Sequence, residues 1–237
     1  MLLMIMSYNK SIILFNKYYP TWIIKKQVGV DGKEGRVFLL EDINNNTKIG
    51  VVKLFKDTKS LKKVKEELSI YSICSKNCIA PFLYNNEIYE DCKCIITEYL
   101  EYTLDEFVKI KNINLDMLKQ IILLYDNLGK LNIFHNDSNL GKNIMVSCIL
   151  YSKFYLIDFG MSITFNEKLI KNYGKNPNYM HLVKIMNYIT DNNLKIYLRN
   201  IIDTYEIENN IIIDFSNKMK KDYEKRLNYR LSELKKI

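Results

Sequence analysis

From Lys48 to Phe55 the chain reads KIGVVKLF, an apolar, β-branched run broken by a single internal lysine. Such a run predicts a central strand. Two runs ahead of it, WIIKKQVGV (22–30) and GRVFLLED (35–42), also read as strands and flank a glycine-rich turn. DINNNT (42–47) is a polar turn whose Asn and Asp residues suit left-handed backbone. The period then changes. In DTKSLKKVKEELSIYSIC (57–74), Leu61, Val64, Leu68 and Tyr71 recur three and four apart. That spacing predicts a helix, with Asp57, Thr58 or Ser60 as its cap. PFLYNNEIYE (81–90) and CKCIITEYL (92–100) return to the strand pattern.

After Leu100 the pattern becomes helical. TLDEFVKI (103–110) and NLDMLKQIILLYDNLGKLN (114–132) are predicted helices, the second with Leu118, Ile122, Tyr125 and Leu128 as its apolar stripe. IMVSCILYSKFYLID (144–158) reads as a short β-ribbon. From Lys168 onward, HLVKIMNYI, NLKIYLRNIIDTY and the segment 211–237 read as helices. Tyr173, Tyr179, Tyr188, Tyr197 and Tyr205 fall among apolar residues there, as core rings do. A β-rich part near 1–100 followed by a helical part near 101–237 predicts one α+β domain of two lobes with a cleft between them.

Composition bounds this picture. A chain of 237 residues with 48% hydrophobic content is long enough for a real core, and it shows no internal repeat. The longest apolar runs fall short of about 18 residues, so no membrane span is predicted. The opening MLLMIM lacks the basic flank and length of a signal peptide and reads as an ordinary segment. The net charge is +8, yet KKVKEEL (62–68) and KMKKDYEKR (218–226) mix signs at helical spacing. That is the look of a solvated helix face and argues against a nucleic-acid surface. Heavy use of Lys, Asn, Ile and Tyr fits an AT-rich genome, viral or microbial. The five cysteines include no Cys-x-x-Cys pair of a structural zinc site; their odd count and the lack of a signal-peptide pattern predict reduced, mostly buried thiols and a cytoplasmic protein.

Candidate chemistry sits at five points. Gly29, Gly32 and Gly35 lie between two predicted strands; glycine allows positive φ and close backbone approach to a phosphate, although a hairpin turn needs it too. Lys53, at the apolar heart of a strand, must snorkel or find an anion. Glu67 lies on the flank of the helical apolar face and Glu66 roughly opposite it, so Glu67 is the candidate partner. His135, Asp137 and Asn143 share one loop, FHNDSNLGKN, and Asp158 opens Asp-Phe-Gly after a strand. Two carboxylates and a carboxamide form an oxygen-donor set suited to Mg²⁺ sharing its ligands with phosphates. A Ser138-His135-Asp137 triad would lack a nucleophile elbow. His181 reads as a partly buried helix residue.

In this order, from Val28 to Thr164, the set resembles the protein-kinase superfamily. The resemblance implies a two-lobed kinase-like fold binding ATP and Mg²⁺, and phosphoryl transfer to Ser/Thr hydroxyls of a protein substrate. By that likeness Gly29, Gly32 and Gly35 would cover the ATP phosphates, with Val37 against the adenine. Lys53, paired with Glu67, would hold the α- and β-phosphates. Thr97, Glu98, Tyr99 and Leu100 would form the gatekeeper and hinge. Asp137 would be the catalytic aspartate, Asn143 and Asp158 the Mg²⁺ ligands, and His135 a brace.

The chain also departs from the family. Its glycine turn has one extra residue, Asn136 replaces the arginine of His-Arg-Asp, and Asn143 falls one residue late. Ser138-Asn139 replaces Leu-Lys, with Lys142 the nearest substitute for that lysine. No Ala-Pro-Glu follows, and only 77 residues (237 − 160) remain after Gly160. These features resemble small divergent kinases, viral or atypical, and leave a small-molecule (aminoglycoside-type) kinase and a nucleotide-binding pseudokinase as alternatives. Loss of the phosphate-sensing arginine implies activity without activation-loop phosphorylation.

Overall fold

The structure is a computed structural model that describes residues 2–29, 31–211 and 213. It is mixed α+β. Helix α1 (Leu2–Tyr18) precedes β1 (Trp22–Val28), β2 (Gly35–Asp42) and β3 (Asn45–Phe55). Then come α2 (Leu61–Lys76) and β4 (Cys94–Glu98). The four strands form one antiparallel sheet in chain order, β1-β2-β3-β4. The pleat sends Phe38, Leu40, Val52, Leu54, Cys94 and Ile96 to one face, where they pack with Phe15 of α1 and with Trp22. The opposite face carries Val37, Val51, Lys53, Ile95 and Thr97.

The rest of the chain is mainly helical. β5 (Tyr102–Thr103), α3 (Leu104–Phe107), α4 (Leu115–Lys130) and β6 (Ile133–Phe134) lead to α5 (Leu140–Asn143). The hairpin β7 (Ile144–Val146) and β8 (Phe154–Leu156) follows, then a 3₁₀ turn at Phe159–Met161 and β9 (Ile163–Thr164). Helices α6 (Glu167–Tyr173), α7 (Tyr179–Ile185) and α8 (Asn192–Asn209) complete the described fold. One large core joins α2 (Val64, Leu68, Tyr71) to α4 (Leu118, Ile122, Tyr125, Leu128), the β7–β8 hairpin and α8. Among the described residues no helix is long and apolar enough to cross a membrane.

Several elements depart from the sequence pattern. The N-terminal segment forms α1, whose Phe15 is fully buried against the sheet. Of the three candidate caps of α2, Ser60 serves: its side chain accepts from Lys63 N. PFLYNNEIYE is not a strand; only Leu83 makes an isolated bridge, to Thr97. The reason is Asn85, whose buried amide donates to Glu87 O and Cys94 O and whose Oδ1 accepts from Ile96 N. A side chain thus satisfies backbone groups that a ladder would otherwise take. TLDEFVKI shortens to one turn, α3, closed by a capping box of Thr103 and Glu106. Tyr197 is exposed, while Tyr173, Tyr179, Tyr188 and Tyr205 are buried or half-buried. His181 is 1% exposed, deeper than the sequence implies. The predicted helix over 211–237 lies almost wholly outside the described residues.

Candidate functional site

The strand lysine finds its anions. Lys53 Nζ lies 2.8 Å from Glu67 Oε1 and 2.6 Å from Asp158 Oδ1. The α2 stripe turns Glu67 inward, with its side chain 3% exposed, and leaves Glu66 outside. Lys59 Nζ takes the other oxygen, Glu67 Oε2, at 2.6 Å and also pairs with Glu34 of the glycine-rich turn. Five charged groups from five parts of the chain therefore join in one series: Glu34, Lys59, Glu67, Lys53 and Asp158.

Burial pulls the Lys53 ammonium down, but the Glu67 and Asp158 carboxylates more than offset it, and its pKa ends above the ordinary lysine value. Burial likewise pushes Asp158 up, and Lys53 brings it below the ordinary carboxylate value. Asp158 has φ 62° and ψ 65°, a left-handed conformation unusual outside glycine. That conformation is held by Phe159, which is 1% exposed and meets the Tyr71 ring edge-on at 5.4 Å and the His135 ring at 5.2 Å. Strain kept in place by packing is a common mark of functional sites.

The loop after β6 is held by neutral hydrogen bonds. His135 N donates to Asn178 Oδ1 at 3.1 Å, and Ser162 Oγ donates to His135 O at 3.1 Å. The His135 ring bonds Ile157 O at 2.9 Å through Nε2, which must carry the proton because a carbonyl only accepts. Burial lowers the pKa of His135, and its Nδ1 is buried without a partner. His135 is thus a neutral brace beside Asp158, and neither ring nitrogen engages Ser138 as a triad would require. Asn136 (φ 56°) donates its side-chain amide to Met161 O at 3.2 Å. Asp137 Oδ1 accepts from Asn139 N at 2.9 Å, an Asx turn that fixes its carboxylate. Asn143 ends α5, and its carbonyl accepts from Ile157 N at 2.9 Å, which ties it to the residue before Asp158.

Between the sheet and this loop lies a cavity of about 280 Å³, near the small end of ligand-binding pockets. Val37, Lys53, Glu67, Thr97, Glu98, Leu100 and Asp158 all line it. Gly29, Gly32 and Gly35 do not; Val28 borders it instead. The glycines serve the turn itself: Gly29 has φ 71°, and a Cβ on Gly35 would lie 2.4 Å from Leu54 O. Two amides of the 97–100 segment have protein partners, Glu98 N on Phe82 O and Tyr99 N on Ile49 O. Asp137 and Asn143 do not line the cavity.

Sequence reasoning missed several residues here. Val51, Met145 and Ile157 supply apolar lining with no motif to announce them. Lys59 and Glu34 join the ion-pair series with no motif to single them out. Asn178 is fully buried and donates to Ile133 O at 2.7 Å as well as holding His135. Lys142, left open from sequence, is exposed and lines the cavity.

Oxygen donors of this kind, one carboxylate and one carboxamide, are the type that a magnesium ion shares with phosphates and water. Among the described residues no three His, Cys, Asp or Glu side chains converge on a metal position. Asp158 with Asn143 would supply two of six octahedral positions and leave the rest to phosphate and water. The Asn143 side chain is buried and its Nδ2 donor has no hydrogen-bond partner. Comparison with known proteins finds no family model that matches the chain and no curated protein that matches it.

Proposed function

We propose that residues 1–237 form a two-lobed, protein-kinase-like phosphotransferase, divided near residue 100, that transfers the γ-phosphoryl of ATP to Ser/Thr hydroxyls of protein. The observation that carries this reading is Lys53 bridging Glu67 and Asp158 at the edge of an apolar cavity. A flat base would lie between Val37 and Val51 on one side and Met145 and Ile157 on the other. Thr97, Glu98 and Leu100 would bound its far end. Lys53, fixed by Glu67, would hold the inner phosphates. Asp158 and Asn143 would hold Mg²⁺, which when bound neutralises the charge of the phosphates. Asp137, set by its Asx turn, would orient the acceptor hydroxyl and receive its proton at the carboxylate. His135 would hold the loop and move no proton. Lys142, at the cavity wall, supplies a cation where Ser138-Asn139 supplies none.

Phosphoryl transfer asks mainly for position and charge, and these residues offer both. The test is transfer of label from γ-labelled ATP with Mg²⁺ to a panel of proteins and aminoglycosides. Label on protein Ser/Thr is expected. Label on aminoglycosides alone would assign a small-molecule kinase. No transfer together with no Mg²⁺-dependent thermal shift by ATP would end the phosphotransferase reading.

A further inference from the structure

The segment between β3 and α2 grips the glycine-rich turn. Lys56 N donates to Glu34 O at 2.9 Å. Lys56 Nζ donates to Gly32 O at 2.9 Å and Lys33 O at 3.0 Å. Three residues later, Lys59 Nζ reaches Glu34 and Glu67 together. The gripping segment is itself anchored: Lys93 Nζ donates to Asp57 O at 2.9 Å and Lys59 O at 2.7 Å. The Phe55 ring lies 4.6 Å from Lys59 Nζ and 5.0 Å from Lys53 Nζ. Gly160 closes the other side, where a Cβ would stand 2.9 Å from Glu67 Oε2, 3.0 Å from Glu34 Oε2 and 3.3 Å from Lys59 Nζ.

We infer that Lys56 and Lys59 latch the glycine-rich turn against α2, and that Lys59 is a positioning residue acting through Glu67 on Lys53. The two Glu67 oxygens are divided between two lysines, so neither lysine can move without freeing the carboxylate to rotate. The Lys59 side chain is 5% exposed and that of Glu67 is 3% exposed, so this pair has little water to fall back on. The Glu34 side chain is 41% exposed. Of the two Lys59 bonds, the one to Glu34 is therefore the one that breaks more readily, and the turn opens while Lys59 and Glu67 stay paired. The same lysine thus governs two things: how firmly the turn is closed, and where the Lys53 ammonium points.

The latch itself does not depend on the proposed function; its effect on ATP does. Two measurements separate them. Amide hydrogen exchange at Gly32–Gly35, without nucleotide, is expected to quicken about tenfold in Glu34→Gln and in Lys59→Met. The double variant should be no faster than Lys59→Met, because both remove one shared ion pair. Binding of Mg²⁺-ATP is expected to weaken about tenfold in Lys59→Met, stay within about threefold in Lys59→Arg, and change by less than about threefold in Glu34→Gln. Unchanged exchange in Glu34→Gln and Lys56→Met would overturn the latch, even if Lys59→Met fails to fold. Folded Lys59→Met that binds ATP like the parent would overturn the positioning role. A parent protein that binds no Mg²⁺-ATP would sink the phosphotransferase reading, and with it the ATP arm, while exchange still decides the latch.

Discussion

On the sheet side of the cavity, charge holds charge. Lys53, Lys59, Glu67, Glu34 and Asp158 are linked by ion pairs whose members come from five parts of the chain. On the loop side, His135, Asn178 and Ser162 hold the backbone through neutral hydrogen bonds, two of them buried and two half-buried. An ion pair with an open edge can trade one partner for an incoming phosphate, because the new anion replaces the old. A buried neutral bond has no such substitute, since losing it leaves a bare donor or acceptor. The sheet wall is thus built to exchange partners, and the loop wall is built to stay put.

This contrast is open to direct attack. Lys53→Ala and Asp158→Ala strike the exchanging wall. Each should lower phosphoryl transfer about a thousandfold; Asp158→Ala should shift the urea midpoint little, because Asp158 is 45% exposed, and Lys53→Ala should shift it more, because it leaves the buried Glu67 carboxylate to Lys59 alone. Retention of more than a tenth of the parent rate would refute the site. Asn178→Leu strikes the other wall. It strips partners from His135 N and Ile133 O, both buried, and should cost about 3 kcal/mol in urea unfolding. A loss under about 1 kcal/mol would mean that the loop is held by something else.

A subtler prediction concerns pH. Burial drives the His181 pKa down to about 3 and the Glu206 pKa up to about 7. A depressed histidine lets the unfolded chain bind more protons below pH 6.5, so its contribution to stability falls as pH drops toward 3. A raised glutamate works the other way, and stability falls as pH rises from 4.5 toward 7. The two slopes oppose each other between pH 4.5 and 6.5. His181→Phe should remove the first, raising stability at pH 5 relative to pH 7 by about 2 kcal/mol, compared with the parent. The ring would sit among Phe134 and Tyr125 without orphaned nitrogens. An unchanged pH profile in denaturant melts would show that His181 does not titrate as burial dictates. Smallest of all, Thr103→Ala removes the capping box of α3 and should cost about 1 kcal/mol; a neutral result would show that this short turn is held by packing alone.

Where the sequence was legible, one local signal pointed one way. The β3 alternation put Lys53 between apolar neighbours, and the helical stripe separated Glu67 from Glu66. Each needed only a period of two or 3.6 residues. The strand pattern of PFLYNNEIYE failed because Asn85 answers to a partner strand invisible in its own window. The α1 helix was missed because its side-chain pattern has no distinct polar face until it meets the sheet. Lys59, Glu34 and Asn178 left no signal at all, since a lysine or asparagine in a polar stretch looks the same whether it faces water or a buried carbonyl.

The sequence by itself determined the strand of Lys53, the burial stripes of α2 and α4, and which charged and amide residues were candidates for a site. Only the tertiary structure decided which charges share a bond, that Glu67 serves two lysines, and that Asn178 fixes a loop some forty residues earlier in the chain. Periodicity is a property of neighbours in sequence, and it survives in any window. Pairing across the chain is a property of distance in space, fixed only once the core has closed around it.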